Sequence, residues 1–201
     1  MGWFQHPEAS MDHEMHPGYD PVSEPPNSDY IGSIYNRLPI AAAHWERYCE
    51  RDLSFTAMVH DLAEWHHPSV HHRPKGTLGQ VWGRCASIKL KQKFEKDNAT
   101  TYDRVVVTRW DIAYSVPIVL GSLDPNVISM DGMYGPTVIS DAWACGPSDL
   151  IDRWGRQFDG IGQLVSIGSM NLGPHEWLKA WFDEERISWQ NRHDIGIWIR
   201  R

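Results

Sequence analysis

The residues most suggestive of chemistry follow a short run of valines, Val105 to Val107. Three consecutive β-branched residues with nothing polar between them predict a strand over 104–108 that is buried on both faces. Arg109 and Asp111 come directly after it, and open α/β sheets bind their ligands beyond the carboxyl ends of such strands. The spacing therefore predicts a site in which Arg109 binds a phosphate-bearing ligand and Asp111 holds a divalent metal.

Simpler interpretations of these two residues stay open. Asp111 is also suited to a turn after the strand, because its short carboxylate can accept hydrogen bonds from nearby backbone amides. Arg109 and Asp111 lie two positions apart, so their side chains would share one face of a strand and form an ordinary ion pair.

Other candidate site residues lie in two further segments. Asp141 and Trp143 accompany a small apolar stretch, 142–145, that predicts a strand. His175 and Glu176 follow Pro174, a residue typical of a helix start. Each also has a purely structural interpretation: Asp141 would bond to loop backbone, and Glu176 would complement the helix dipole.

Arg84 belongs to the clearest helical pattern of the chain, over 78–97. The apolar stripe of that helix and its lysine-rich solvent side predict an amphipathic helix, with Val81, Cys85, Ile88, Leu90 and Phe94 on the stripe and Lys89, Lys91, Lys93 and Lys96 in solvent. Arg84 lies near the predicted helix start. It forms a surface salt bridge, or it points toward the ligand site.

A histidine-rich segment, 66–77, contains His66, His67, His71 and His72. Imidazoles are common metal ligands, but the spacing fits no helical ligand pair. Pro68 and Pro74 predict a loop. A solvated loop is therefore preferred over a metal site.

Composition limits the classes of function. The chain of 201 residues has a net charge of -7 and a pI near 5.8, which argues against a nucleic-acid partner bound by a basic face. Its apolar runs stay below the ~18 residues of a membrane span. Cys49, Cys85 and Cys145 lack metal-finger spacing and predict buried reduced thiols, so a cytoplasmic location is expected. Most of the 11 tryptophans are expected to pack in the core, while a few could stack on sugar rings.

The remaining patterns predict one α/β domain over 31–201, with a mixed central sheet flanked by helices, after an irregular segment over 1–30. Ser148 is the predicted N-cap of the helix that follows the 142–145 strand. The other predicted elements are helices over 39–51, 55–65, 149–158 and from 174, a helix or turn over 117–123, and strands over 127–130 and 194–200.

The order of these motifs resembles that of GT-A-like glycosyltransferases of the capsule and surface-polysaccharide type. The resemblance covers about residues 78–200. It rests on a helix containing Ser87, the segment from Tyr102 to Asp111, the segment from Ser140 to Ser148, the Pro174-His175-Glu176 helix start, and a terminal strand ending at Arg200.

That resemblance implies transfer of a sugar from a nucleotide-sugar donor to a hydroxyl on a glycan acceptor. It implies a Mn or Mg ion on Asp111, diphosphate contacts from Arg109, and Asp141 as the general base of an inverting reaction. Arg84 would point at the donor. Trp143, His175 and Glu176 would contact the acceptor or a sugar.

Two departures from the family pattern shape the alternatives. Arg109 stands where the family has the first acid of its Asp-x-Asp motif. The strand and glycine turn that hold the nucleotide base are not recognisable before residue 30, so we expect that half to be truncated, replaced or supplied by a partner chain. The alternatives are a non-catalytic carbohydrate- or nucleotide-binding remnant and, ranked last, a metal-dependent hydrolase using the histidine loop with Asp61 and Glu64.

Overall fold

A computed structural model of the chain provides the fold. It describes residues 57–58, 74–109, 112–114, 117–132, 138–166, 174–195 and 197–199. Ala57 and Met58 are helical, in agreement with the helix predicted over 55–65. The segment 1–30, the helix predicted over 39–51, the four histidines of the 66–77 loop, Asp61, Glu64, Cys49 and Asp111 lie outside the described residues.

The first long element is helix α1, Pro74–Asp97. It begins four residues before the predicted start, because a proline fits the first turn of a helix, where its missing N–H has no partner to lose. The end of the histidine-rich segment is thus helical rather than a loop. Its buried stripe is Leu78, Val81, Cys85 and Ile88, at spacings of three and four, whereas Leu90 and Phe94 are only half-buried.

A mixed four-stranded sheet forms the centre of the described structure, which confirms the predicted α/β class with a mixed sheet. Its strands are β1 (Val105–Thr108), β3 (Ile128–Asp131), β4 (Trp143–Gly146) and β5 (Trp189–Arg192), in the order β1-β4-β3-β5. Strand β4 is antiparallel to both β1 and β3, while β5 is parallel to β3. A separate pair joins β2 (Ile112–Tyr114) to β6 (Ile197–Ile199).

Strand β1 was expected to be buried on both faces, and that expectation is wrong. Among the described strands it pairs only with β4, so it lies at the sheet edge. Val106 is 43% exposed, while Val105 and Val107 pack against the core. Because all three residues are valine, the alternation of a half-exposed strand leaves no trace in the sequence.

The directions of the strands bring the carboxyl ends of three of them to the same end of the sheet. Strands β1, β3 and β5 run the same way, and β4 runs against them. The carboxyl ends of those three strands therefore lie beside the start of β4. We call this region the carboxyl end of the sheet. It is marked by Thr108, Asp131, Arg192 and Trp143.

The two faces of the sheet are covered differently. Helices α2 (Ser148–Trp154) and α4 (Pro174–Glu184) bury the face that carries Ala144, Ile128 and Met130, and Trp154 meets Phe182 edge to face at 5.5 Å between ring centroids. On the opposite face, Trp143 and Cys145 pack with Ile197 of the two-stranded sheet. The flanking layers are thus helices on one face and a β-pair on the other.

A third apolar cluster joins helices rather than strands. The short helix α3 (Ile161–Ser166) contributes Ile161, which packs with Leu78 and Val81 of α1 and with Trp177 of α4. Cys85 belongs to this cluster, and Cys85 and Cys145 are both buried free thiols, as predicted. Burial raises the pKa of both thiols, which keeps them protonated and unreactive.

Two predicted segments contain shorter helices than expected. The helix expected over 149–158 is Ser148–Trp154 followed by turns through residue 160, and the 117–123 segment contains one 3-10 turn, Leu120–Ser122. No helix in the described ranges is long and apolar enough to cross a bilayer.

A buried ionic network fastens α1 to α2. Lys91, expected in solvent, is instead paired with Glu95 and Asp152, each at 2.7 Å. Ser148 was expected to be the N-cap of α2, but Pro147 occupies that position. The Ser148 hydroxyl instead donates a hydrogen bond to Glu95 at 2.8 Å and accepts one from the Lys91 ammonium. Burial raises the pKa of Glu95, but the bonds from Lys91, Ser148 and the Tyr102 amide outweigh it and leave that pKa below its usual value.

Two ion pairs of identical spacing on α1 provide a matched test of this network. Lys91–Glu95 is 11% exposed at both side chains, whereas Lys93–Asp97 is 70% and 51% exposed. Glu95→Gln should lower the free energy of unfolding by about 1–3 kcal/mol, because a buried ammonium loses one of its two carboxylate partners. Asp97→Asn should change it by less than about 0.5 kcal/mol. Urea unfolding at pH 7 measures both, and equal effects would contradict a structural role for the network.

Candidate functional site

The centre of the candidate site is an ion pair between Arg84 and Asp141. Arg84 Nη2 lies 2.6 Å from Asp141 Oδ2, and the two side chains are 8% and 9% exposed. Since α1 begins at Pro74, Arg84 lies in the third turn of the helix rather than near its start. The predicted surface salt bridge is therefore wrong: the pair is buried and connects residues 57 positions apart.

The local chain positions Asp141 at the carboxyl end of the sheet. It lies two residues before the start of β4, and the buried Ser140 hydroxyl accepts a hydrogen bond from the Ala142 amide at 3.3 Å, which closes a tight turn around Asp141. Strand β4 then enters the core at Trp143. The turn holds the Asp141 carboxylate against α1.

Two further side chains hold the Arg84 guanidinium. Its carbon lies 4.8 Å from the centre of the Trp154 ring, within range of a cation–π contact. Its Nη1 donates to Gln157 Oε1 at 3.4 Å, and the Trp154 indole N–H donates to the same oxygen at 3.3 Å. Arg84 is thus fixed between a carboxylate, a ring face and an amide oxygen.

Three basic side chains act on the Asp141 carboxylate. Burial raises the pKa of Asp141, but the charges of Arg84, His175 and Arg109, together with the Arg84 hydrogen bond, outweigh burial and hold that pKa below its usual value. His175 comes from the first turn of α4, and Arg109 directly follows β1. The structure therefore brings together four predicted site residues, Arg84, Arg109, Asp141 and His175, which we call the Asp141 cluster.

The other predicted site residues do not belong to the Asp141 cluster as described. Trp143 is 1% exposed in the apolar cluster between the two sheets, so it is a core residue and not an open surface for a sugar. Glu176 is exposed in the first turn of α4, where an acid suits the helix dipole. Asp111 lies outside the described residues, and its role stays a prediction.

The donor set of the Asp141 cluster does not suit a divalent cation. Mn and Mg prefer several carboxylate or carbonyl oxygens, whereas Asp141 is surrounded by cationic groups that would repel a second cation. Within the described ranges no three His, Cys, Asp or Glu side chains converge on a common point. Guanidinium groups instead suit anionic oxygens such as those of phosphate.

Three residues near this region had no distinguishing sequence signal. Gln157 and Trp154 position Arg84, and a lone glutamine or tryptophan predicts nothing about a partner 70 positions away. Asp131 is completely buried at the end of β3, where its Oδ2 accepts the Trp143 amide at 3.1 Å. It holds the start of β4 against β3 and so supports the turn that carries Asp141.

Comparisons of the chain with known protein families, with curated proteins and with solved structures found no match. A shallow depression lined by Pro117, Val119 and Leu123 lies beside Arg192 and contains no member of the Asp141 cluster. The Asp141 cluster is therefore the feature from which a function can be inferred.

The lowered pKa of Asp141 predicts a specific acid dependence of stability. Its unfolded value is about 3.9, and the folded value lies below that. The carboxylate therefore stabilises the fold above about pH 4, and this contribution is lost as pH falls through the folded pKa. Asp141→Asn should be less stable than the wild type at pH 7, and the gap should narrow toward pH 3.

Urea unfolding between pH 7 and pH 3 measures that gap. The control is Asp159→Asn, which removes the same charge from a surface pair with Lys89 and should show a small difference at every pH. A gap for Asp141→Asn that stays constant down to pH 3 would contradict the buried pairing.

Proposed function

We propose that this protein binds a nucleotide-sugar donor at the Asp141 cluster and transfers the sugar to a hydroxyl of a glycan acceptor. The convergence of Arg84, Arg109 and His175 on one carboxylate supports the donor-binding half of this proposal. Among the described members of the cluster, two arginines and a histidine act on one carboxylate. Because the whole chain has a net charge of -7, this local excess of positive charge is not a consequence of overall composition.

The cluster has the parts that a diphosphate needs. Arg109 is half-buried at the carboxyl end of the sheet, so its guanidinium can reach a ligand there and contact two phosphate oxygens. His175 adds a donor at the start of α4, where backbone amides also favour anions. The buried guanidinium of Arg84 contributes positive charge, and Asp141 keeps that guanidinium oriented. A GT-A-like fold would use such contacts to stabilise the leaving nucleotide diphosphate.

The catalytic half of the proposal has less support. A general base works best when its pKa lies near the working pH, whereas Asp141 has a pKa below its usual value and is bonded to Arg84. In the proposed site Asp141 therefore positions Arg84 rather than acting as the general base. The same observation favours a second candidate function, a binding protein that holds the donor without transferring its sugar.

Ligand-induced stabilisation tests the binding step. UDP, GDP, CMP, dTDP and their common sugar conjugates would be screened by thermal shift, with and without Mn or Mg. A ligand at a hundredfold excess over its Kd should stabilise the wild type by about 2.7 kcal/mol. Arg109→Ala should abolish the shift, because the phosphate loses its most accessible guanidinium.

The matched control is Arg156→Ala, which removes an exposed arginine paired with Glu185 and should leave the shift unchanged. Stabilisation of the wild type by none of these nucleotides, or equal stabilisation of Arg109→Ala, would refute the proposal. Turnover separates the two candidate functions: release of the free nucleotide (UDP, GDP, dTDP or CMP) from the bound donor indicates the transferase, and its absence indicates the binding protein.

A further inference from the structure

The side-chain amide of Gln157 is completely buried beside Arg84. Its Oε1 accepts from Arg84 Nη1 and from the Trp154 indole N–H, at 3.4 Å and 3.3 Å. Both neighbours can only donate, so the oxygen must face them and the amide cannot be turned over. The other half of the amide is therefore a donor in a fixed position next to the guanidinium.

That donor, Gln157 Nε2, has no hydrogen-bond acceptor within the part of the chain that the structure describes. Buried side-chain donors in native proteins are nearly always satisfied, by protein atoms, water or a ligand. The Arg84 guanidinium contacts the oxygen of the same amide at 3.4 Å, and its field favours an anionic oxygen over a neutral acceptor. The local chemistry thus selects an oxygen anion.

We propose that Gln157 Nε2 and Arg84 together form a two-donor seat for one phosphate oxygen of the bound diphosphate, which makes Gln157 a specificity-determining residue. This inference rests on the proposed function, since it places a further contact in the same site. A neutral amide suits this position, because it adds a hydrogen bond without adding charge to a cluster in which Asp141 already interacts with two arginines and a histidine.

Gln157→Glu is a near-isosteric test. The glutamate keeps an oxygen for Arg84 and Trp154, so the fold should persist, but it replaces the donor with an acceptor and adds a negative charge. Inorganic pyrophosphate is the probe, titrated calorimetrically into the full-length chain at pH 7. We expect its Kd to rise about 10- to 100-fold, the usual effect of losing a charge-assisted hydrogen bond.

Two further variants complete the experiment, one as a control and one as a second test of the Gln157 donor. Gln163→Glu makes the same change at an exposed glutamine and should shift the Kd by less than about twofold. Gln157→Met removes the donor without adding charge. The Kd of this variant for pyrophosphate should rise at least about fivefold. If Gln157→Glu fails to fold, Gln157→Met alone tests whether the donor contributes to binding. Wild-type protein that does not bind pyrophosphate would overturn the proposed function, and this inference with it. Wild-type binding that both Gln157 variants retain unchanged would overturn only this inference.

Discussion

The rest of the site depends on a charge pair that has been removed from water. Arg84 and Asp141 are both more than nine-tenths buried, and each loses hydration that only a close partner can replace. Neither residue can therefore move independently of the other. The pair joins the third turn of α1 to the turn before β4, and so it fixes the helix layer against the carboxyl end of the sheet. A buried pair of this kind need not add net stability, but removal of one member leaves an uncompensated charge.

The neighbours of the pair decide what it can do. A carboxylate beside one arginine would be neutralised, whereas Asp141 is also acted on by Arg109 and His175. The topology makes this possible, because β1 and β4 are antiparallel neighbours and the end of one lies beside the start of the other. Helix α4 brings His175 to the same place from the covering layer. Side chains from four separate segments thus act on one carboxylate, whose lowered pKa suits positioning rather than proton abstraction.

Much of the fold could be predicted from the sequence, but little of the site's connectivity could. Strong periodicity identified α1, and apolar runs identified β3 and β4. Strand β5 went unrecognised because Trp189–Arg192 is mostly polar and reads as a loop. The stripe of α1 gave no sign that Lys91 would be buried, since its carboxylate partner Asp152 lies 61 positions away. Candidate site residues were found by type, but the contact between Arg84 and Asp141 depends on tertiary packing alone.

The most direct test of this account is a double-mutant cycle on the buried pair. The free energy of urea unfolding at pH 7 would be measured for the wild type, Arg84→Met, Asp141→Asn and the double variant. Each single substitution should cost about 3 kcal/mol, because it leaves one buried group without its partner. The double variant should cost less than the sum of the two, with a coupling energy of at least about 1 kcal/mol. Additive effects would show that the two side chains do not depend on each other, and would contradict the account.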